Sequence, residues 1–191
     1  MRQPALLVCA AALTAVTAGL AEPAPSTLTY PGLEADLPVF FEYPSDWRLT
    51  DERGAVETYH AVRLQVSRNA EDTYTAYLVV RAFPVQPPGS RYATQRTFVN
   101  HLLANLPDGA SADPQTTRPV TGVVADDFTV TYTIPPLHHA GRKAVKIPVK
   151  TRTVVVEHGP FLYELAYSAD ERDYDAHLFA FEGLLSSLQF R

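Results

Sequence analysis

Two histidines stand side by side in the sequence, His138 and His139, in a segment bounded by proline and glycine. Imidazole nitrogens bind zinc and copper, and Asp126, Asp127 or His158 would be further ligands. A metal site needs three or four converging ligands, however, and adjacent side chains rarely point to the same spot. The sequence therefore favours a solvated loop here, and no cofactor is expected.

Asp126 and Asp127 place two adjacent carboxylates in an otherwise apolar stretch. If the stretch is a strand, one of the two carboxylates faces the same side as Val124 and Phe128. A buried carboxyl group is a candidate acid catalyst, and the alternative is a bulge or the end of a strand. We favour the strand boundary.

The sequence lacks the motifs of the common enzyme classes. It has no Gly-x-Ser-x-Gly elbow, His-Glu-x-x-His pair, phosphate-binding Gly-Lys-Ser/Thr loop or Gly-x-Gly-x-x-Gly turn. A Ser-His-Asp triad built from distant residues has no sequence signature, so a hydrolase remains as the third hypothesis. We expect a protein that is not an enzyme.

The basic residues cluster in one part of the chain. All three lysines, Lys143, Lys146 and Lys150, lie between Arg142 and Arg152. Because side chains alternate along a strand, Lys146, Lys150 and Arg152 share one face. This basic stripe is a candidate contact surface for an acidic protein or an anionic component of the envelope. The alternative is a sheet edge that lysines keep soluble.

Tyrosines on the predicted strands form a second candidate site. Tyr74, Tyr132, Tyr163 and Tyr167 combine apolar rings with hydroxyl groups that can orient a ligand. Together with a helix predicted over residues 92–106, they would line a pocket for a small molecule or a lipid. A carrier is therefore the second functional hypothesis.

Hydrophobic periodicity predicts the elements that position these residues. Alternating apolar and polar residues predict strands at 60–66, 74–83 and 128–134, and a hairpin over 145–167 that turns at 157–160. Two amphipathic helices are also predicted, one after the first hairpin and capped by Ser90, the other after the last strand and starting at Ser168, with Glu171 at capping-box spacing. Because strands and helices segregate, the predicted fold class is α+β, an antiparallel sheet with helices packed on it.

One short segment resembles a known family. Residues 40–47, Phe-Phe-Glu-Tyr-Pro-Ser-Asp-Trp, are similar to the opening of the PsbP-like superfamily, which includes the Ran-binding Mog protein and many bacterial envelope proteins. The helix over 92–106, the strand at 163–167 and a closing helix that ends at 184–190 occur in the order used by that family. The resemblance covers residues 38–191 and implies an α-β-α sandwich and a non-catalytic binding or assembly role.

The N-terminal residues have the order of a cleavable secretion signal. Arg2 precedes an uncharged run rich in alanine and leucine, and small residues precede the expected cleavage after Ala21. The alternatives are an uncleaved anchor helix and lipidation of Cys9. We expect a polar lead-in at 22–37, one domain at 38–191, and a periplasmic or extracellular location.

The composition of the chain argues against several further classes of function. Cys9 is the only cysteine, so the mature chain would have no disulfide and no thiol nucleophile. The formal net charge of −5 argues against a nucleic-acid partner. No membrane span is expected after cleavage of the signal. The sequence thus predicts a secreted or periplasmic binding or assembly module.

Overall fold

An antiparallel sheet of eight strands forms the centre of the part of the chain that the structure describes. The structure is a computed structural model, and it describes residues 26–53, 59–66, 76–134 and 146–191. In chain order its elements are β1 (Thr27–Tyr30), β2 (Val39–Pro44), β3 (Trp47–Arg53), β4 (His60–Val66), β5 (Tyr77–Pro84), α1 (Gln95–Ala104), β6 (Ser111–Ala112), β7 (Thr116–Val120), β8 (Val123–Ile134), β9 (Ile147–His158), β10 (Phe161–Asp170), α2 (Tyr174–Ser187) and β11 (Gln189–Phe190).

The central sheet has the strand order β3-β4-β5-β10-β9-β8-β6, and β7 also pairs with β8. Neighbouring strands in this order run antiparallel. Helix α1 covers part of one face of the sheet. Helix α2 and a small sheet of order β1-β2-β11 cover the other face. The α+β fold class predicted from the sequence is confirmed.

The hairpin formed by β9 and β10 lies in the middle of the sheet. Its pairing runs one to one from Phe161 and His158 at the turn to Asp170 and Val149 at the open end. Gly159 allows the tight turn, since its φ of 57° lies in the left-handed region that glycine enters without steric cost. The predicted hairpin and its turn are confirmed.

The prediction that Asp126 and Asp127 end a strand is wrong. Strand β8 runs through both residues, and they pair with Val155 and Val154 of β9. The two carboxylates lie on opposite faces of the sheet, and each has donors there. Asp126 accepts a hydrogen bond from Gln95 Nε2 at 2.8 Å, while Asp127 accepts from an arginine of β9 described below. These partners allow the carboxylates to stay in the ladder.

Helix α1 does not begin at Ser90. Its N-cap is Thr94, whose hydroxyl accepts a hydrogen bond from the Thr97 backbone N–H, while the Thr97 hydroxyl accepts from the Thr94 N–H at 3.0 Å. Ser90 instead donates its hydroxyl to the Gln86 side chain at 2.5 Å in the preceding turn. Serine and threonine are both good caps, and here the reciprocal pair at 94 and 97 decides the start of the helix.

Helix α2 also starts later than predicted. Ser168 lies in β10, fully buried, with its hydroxyl 2.8 Å from that of Thr151 on the neighbouring strand. The strand pairing continues to Asp170, and the helix begins only at Tyr174. The spacing of Ser168 and Glu171 matched a capping box, but the pairing with β9 keeps Ser168 in the strand.

Two hydrophobic cores lie on the two faces of the sheet. The larger core joins α2 to the sheet and to β2, with Phe181 and Leu184 of the helix against Leu165 of β10 and Phe41 of β2. The smaller core lies under α1 and contains Phe98, Val99, Phe128, Val130, Val155 and Leu162. The face under α1 is therefore the less filled of the two.

The aromatic residues of the segment at 40–47 lie on both sides of β2 and at the start of β3. Phe41 is fully buried, Phe40 on the other side of β2 is half-buried, and Pro44 is the last residue of the strand. Trp47 begins β3 and meets the ring of His177 on α2 edge to face. The region predicted as a lead-in also belongs to the fold, because β1 pairs with β2 and Leu37 lies in the larger core.

Some predicted features lie outside the described residues. These are His138, His139, Arg142, Lys143 and Tyr74. In the described part of the chain, no three histidine, cysteine or acidic side chains are grouped so that they hold a metal ion. None of the helices described has the length and apolar composition that a membrane crossing requires.

Candidate functional site

The N-terminal end of α1 is fixed to the sheet by Gln95. The Gln95 backbone N–H donates to Glu157 Oε2, and the Glu157 N–H donates back to Gln95 Oε1, both at 2.9 Å. The Gln95 amide also donates to Asp126 on β8. Phe98 and Val99, in the next turn, are buried in the smaller core. The first half of the helix is therefore held firmly against β8 and β9.

The C-terminal half of α1 is not packed in this way. Leu102, Leu103 and Leu106 are only half-buried, although their spacing places them on the apolar side of the helix. The sheet offers small side chains below this part of the helix. They are Thr151, Thr153 and Ala166. A cleft of about 260 Å³ lies between the helix and this floor.

A second cavity adjoins the first along the same side of α1. It has a volume of about 280 Å³ and a largely aromatic lining, which is Tyr59, Phe83, Tyr92 and Phe98, together with His101. The rings of Phe83 and Tyr92 are stacked, with centroids 4.9 Å apart. We call the two cavities the threonine chamber and the aromatic chamber.

An ion pair lies where the two chambers meet. Arg81 of β5 and Glu164 of β10 line both cavities, as does Leu102. Arg81 Nη1 donates to both Glu164 carboxylate oxygens at 3.0 Å, and the two side chains are 28% and 10% exposed. Burial by itself lowers the pKa of Arg81, but the charge of Glu164 and its hydrogen bonds outweigh burial and raise it. The guanidinium therefore stays charged beside its carboxylate.

The structure separates the tyrosines that the sequence grouped into one pocket. Tyr132 lines the threonine chamber, whereas Tyr163 and Tyr167 lie on the opposite face of the sheet, in the core under α2. Burial raises the pKa of Tyr163 to about 12. The Tyr167 hydroxyl donates to the Tyr174 carbonyl at 2.6 Å. These two tyrosines are not among the residues that line the cleft under α1.

Two other tyrosines take part in the cleft, and the sequence reasoning missed both. Tyr77 lines the threonine chamber and Tyr59 the aromatic chamber. For Tyr77 a signal existed: it alternates with Val79 and Arg81 on β5, so the three share one face of the sheet. Tyr59 precedes β4, and nothing in its local sequence points to the cleft.

The described part of the basic stripe faces α2. Lys146 is exposed just before β9, and the Lys150 ammonium lies 4.5 Å from the centroid of the Tyr174 ring. Arg152 donates to Asp127 through Nε at 2.9 Å and Nη2 at 2.6 Å, and to Glu182 of α2 through Nη1 at 2.5 Å. Contact of this stripe with an anionic partner stays a prediction, and the charge of Arg152 is already compensated within the fold.

Arg118 of β7 completes an ion-pair network with these residues. Its Nη2 lies 3.1 Å from Glu182 and its Nη1 lies 3.6 Å from Asp127. The hydrogen bonds to Asp127 are the main reason why the pKa of Arg152 is raised. Burial opposes ionisation of Glu182, but the hydrogen bonds from Arg118 and Arg152 lower its pKa. The network fastens α2 to the sheet.

No protein-family model matches the chain, and no curated protein is significantly similar to it.

Solved structures show the same architecture. LpqN of Mycobacterium tuberculosis, involved in cell envelope biogenesis, matches with a TM-score of 0.52 and 14% identity over 86% of this chain and 90% of LpqN. The PsbP protein of the cyanobacterium Synechocystis matches with a TM-score of 0.48 and 17% identity over 93% of this chain and 98% of that protein. A Bacteroides thetaiotaomicron protein, of which 48% is covered, matches 87% of this chain with a TM-score of 0.47 and 14% identity.

These similarities concern the fold. The match to LpqN shows the shared arrangement of two helices on an antiparallel sheet.

Proposed function

We propose that the protein is an extracytoplasmic, non-catalytic binding module and that the cleft under α1 is its binding site. One observation carries the proposal. Leu102 near the end of α1 and Leu106 just after it are only half-buried, and a cleft of about 260 Å³ lies between them and a floor that includes small side chains. Interiors of folded proteins are close-packed, so an open cavity with an apolar wall is a feature that a ligand would fill.

The composition of the cleft supports binding rather than catalysis. Ligand pockets are mostly apolar and contain a few polar groups that fix the orientation of the ligand. Here Leu102, Leu106 and Phe128 give the apolar surface, and Arg81 with Glu164 gives the polar contact. The arginine and the carboxylate neutralise each other, so the site suits an uncharged amphipathic group.

The proposed location rests on the signal-like residues 1–21. The similarity in fold to LpqN, a protein involved in cell envelope biogenesis, is compatible with it. N-terminal sequencing of the protein recovered from the envelope or the medium tests this part: we expect the chain to begin at Glu22. Recovery from the cytoplasm with Met1 intact would contradict it.

A cavity-filling substitution tests the site. In Ala166→Leu the added side chain extends from the floor into the threonine chamber. The matched control is Ala104→Leu, the same change at an exposed position on α1. The uncharged dye Nile red becomes fluorescent when it enters an apolar cavity. We expect Ala166→Leu to lose most of the dye fluorescence of the wild type and Ala104→Leu to keep it, with thermal unfolding measured for both. Equal dye binding by a folded Ala166→Leu variant would rule out the cleft.

A further inference from the structure

We propose that the ligand of the cleft is an extended peptide segment with apolar side chains at positions i and i+2, and that Arg81 and Glu164 bind its backbone between them. This inference rests on the proposed function, because it names the class of molecule that the cleft takes. The occupant would be an unfolded or extended part of another envelope or secreted protein.

The division of the cleft into two chambers is the first reason. Pockets that enclose a whole drug-sized ligand have volumes of about 300–1,000 Å³. The two chambers, at about 260 and 280 Å³, are each slightly smaller and are separated by the ion pair. A single continuous acyl chain would have to pass this charged pair. Two separate side chains with a polar backbone between them meet apolar surface at both ends and polar groups in the middle.

The spacing of the chambers is the second reason. Phe98 and Leu102 lie one turn apart on the same side of α1, and Leu106 follows just after the end of the helix, with Leu102 shared by both chambers. Four residues of an α-helix rise about 6 Å, so Phe98 in the aromatic chamber and Leu102 at the boundary between the chambers lie about 6 Å apart along the helix. In an extended peptide, side chains i and i+2 lie on the same face and are about 6.6 Å apart. The two distances agree.

The chemistry of the ion pair is the third reason. A peptide unit offers one acceptor, its carbonyl, and one donor, its N–H. Arg81 can only donate and Glu164, when ionised, can only accept, so the pair matches both groups. Arg81 donates to Glu164 through Nη1 only. In the described part of the chain, the other two guanidinium nitrogens of Arg81, Nε and Nη2, have no protein acceptor. An anionic lipid headgroup would instead place its charge beside the Glu164 carboxylate, which disfavours it.

The spacing of apolar residues in a synthetic peptide tests the inference. The probe is a fluorescein-labelled seven-residue peptide with leucine at its third and fifth positions and serine elsewhere. Its matched control has the same composition with leucine at the third and fourth positions, which point to opposite sides of an extended chain. Measured by fluorescence anisotropy, the first peptide is expected to bind at least about tenfold more tightly. Equal affinities would overturn the inference.

Backbone recognition is tested separately from the chambers. Replacing the two central peptide bonds by esters, one at a time, removes a single N–H donor, and one of these peptides is expected to bind about tenfold more weakly, since it loses a hydrogen bond to a charged group. In the protein, Arg81→Met with Glu164→Met removes both members of the pair and leaves no unpaired buried charge. This double variant should keep dye binding and lose the preference between an ester and an amide. An unchanged preference would refute the role of the pair.

The same experiment also tests whether other classes of ligand bind. Vesicles of phosphatidylglycerol and phosphatidylcholine, and a short glucan, are tested beside the peptides. Binding of either without binding of the peptides rejects the inference. If the dye signal depends on Ala166 but the peptides do not bind, the peptide inference fails and the proposed binding site stands. If the dye signal does not depend on Ala166, both fail.

Discussion

Arg152 holds α2 to the sheet, and its removal is expected to destabilise the protein strongly. It makes two hydrogen bonds to Asp127 and one to Glu182. Asp127 is only 7% exposed, so in Arg152→Met its carboxylate loses its bidentate partner while it stays out of water. Breaking a buried pair in this way costs about 3–5 kcal/mol. We expect the lower end, about 3 kcal/mol, because Arg118 lies 3.6 Å from Asp127 and can move closer.

The neighbouring arginine gives the matched control. Arg118 contacts mainly Glu182, whose side chain is 42% exposed, so water can replace that partner. Exposed ion pairs contribute about 0–1 kcal/mol, and Arg118→Met should cost no more than that. In a domain of this size, a loss of 3 kcal/mol lowers the melting temperature by roughly 6–12 °C.

Urea unfolding followed by circular dichroism gives the free energy of unfolding of each variant. A second substitution separates the unpaired carboxylate from lost packing. In Arg152→Met with Asp127→Leu no buried charge remains, and part of the loss should be recovered. If Arg152→Met is no less stable than Arg118→Met, or if the double variant recovers nothing, the reasoning about the buried carboxylate is wrong.

Two further outcomes are expected. The pKa of Glu182 is lowered from its ordinary value of 4.5, so its ion pairs stabilise the protein above that value and the contribution is lost as the pH falls through the lower folded-state pKa. The difference in unfolding free energy between wild type and Glu182→Gln should therefore be present at pH 7 and shrink below about pH 4, and a difference that grows on acidification would contradict this sign. Gln95→Ala removes the side-chain hydrogen bonds that join α1 to the Glu157 N–H and to Asp126, and leaves only the bond from the Gln95 backbone N–H to Glu157. Hydrogen exchange should therefore accelerate in α1 while the β9–β10 hairpin stays protected. Uniform acceleration in both would show that Gln95 stabilises the whole domain and not the helix alone.

Periodicity along each strand was enough to predict much of the sheet. The alternation in β4, β8 and the β9–β10 hairpin follows directly from residue type, because one face of each strand is buried. The same periodicity does not say which faces of different strands coincide. Tyr132 pairs with Val149, which pairs with Asp170, and this register places Tyr132 on the face opposite Tyr163 and Tyr167. Such a relation depends on pairing between distant strands, so the sequence grouped tyrosines that the fold separates.

The partners of several polar residues were not predicted, for a similar reason. Asp126 and Asp127 were predicted to end a strand because they interrupt an otherwise apolar stretch. Their partners include Gln95 of α1, 31 residues away, Gln115, 11 residues away, and Arg152 of β9, 25 residues away. Arg152 looked like part of an exposed basic stripe because the carboxylates that neutralise it are equally distant. The types of these residues showed that they need charged or polar partners, but the local sequence does not show which residues those partners are.

The packing of α1 on the sheet was also not predictable from the local sequence, and the candidate site lies at this place. An amphipathic helix normally buries its apolar side, so Leu102, Leu103 and Leu106 of the helix predicted at 92–106 would be expected in the core. They are half-buried because the sheet below offers Thr153 and Ala166 where larger side chains would fill the space. The hydrophobic pattern of the helix and its packing on the sheet therefore disagree here. Such disagreements are expected at functional sites. A fold selected only for stability would gain by filling this space, so the unfilled space is itself an argument that the cleft binds a ligand.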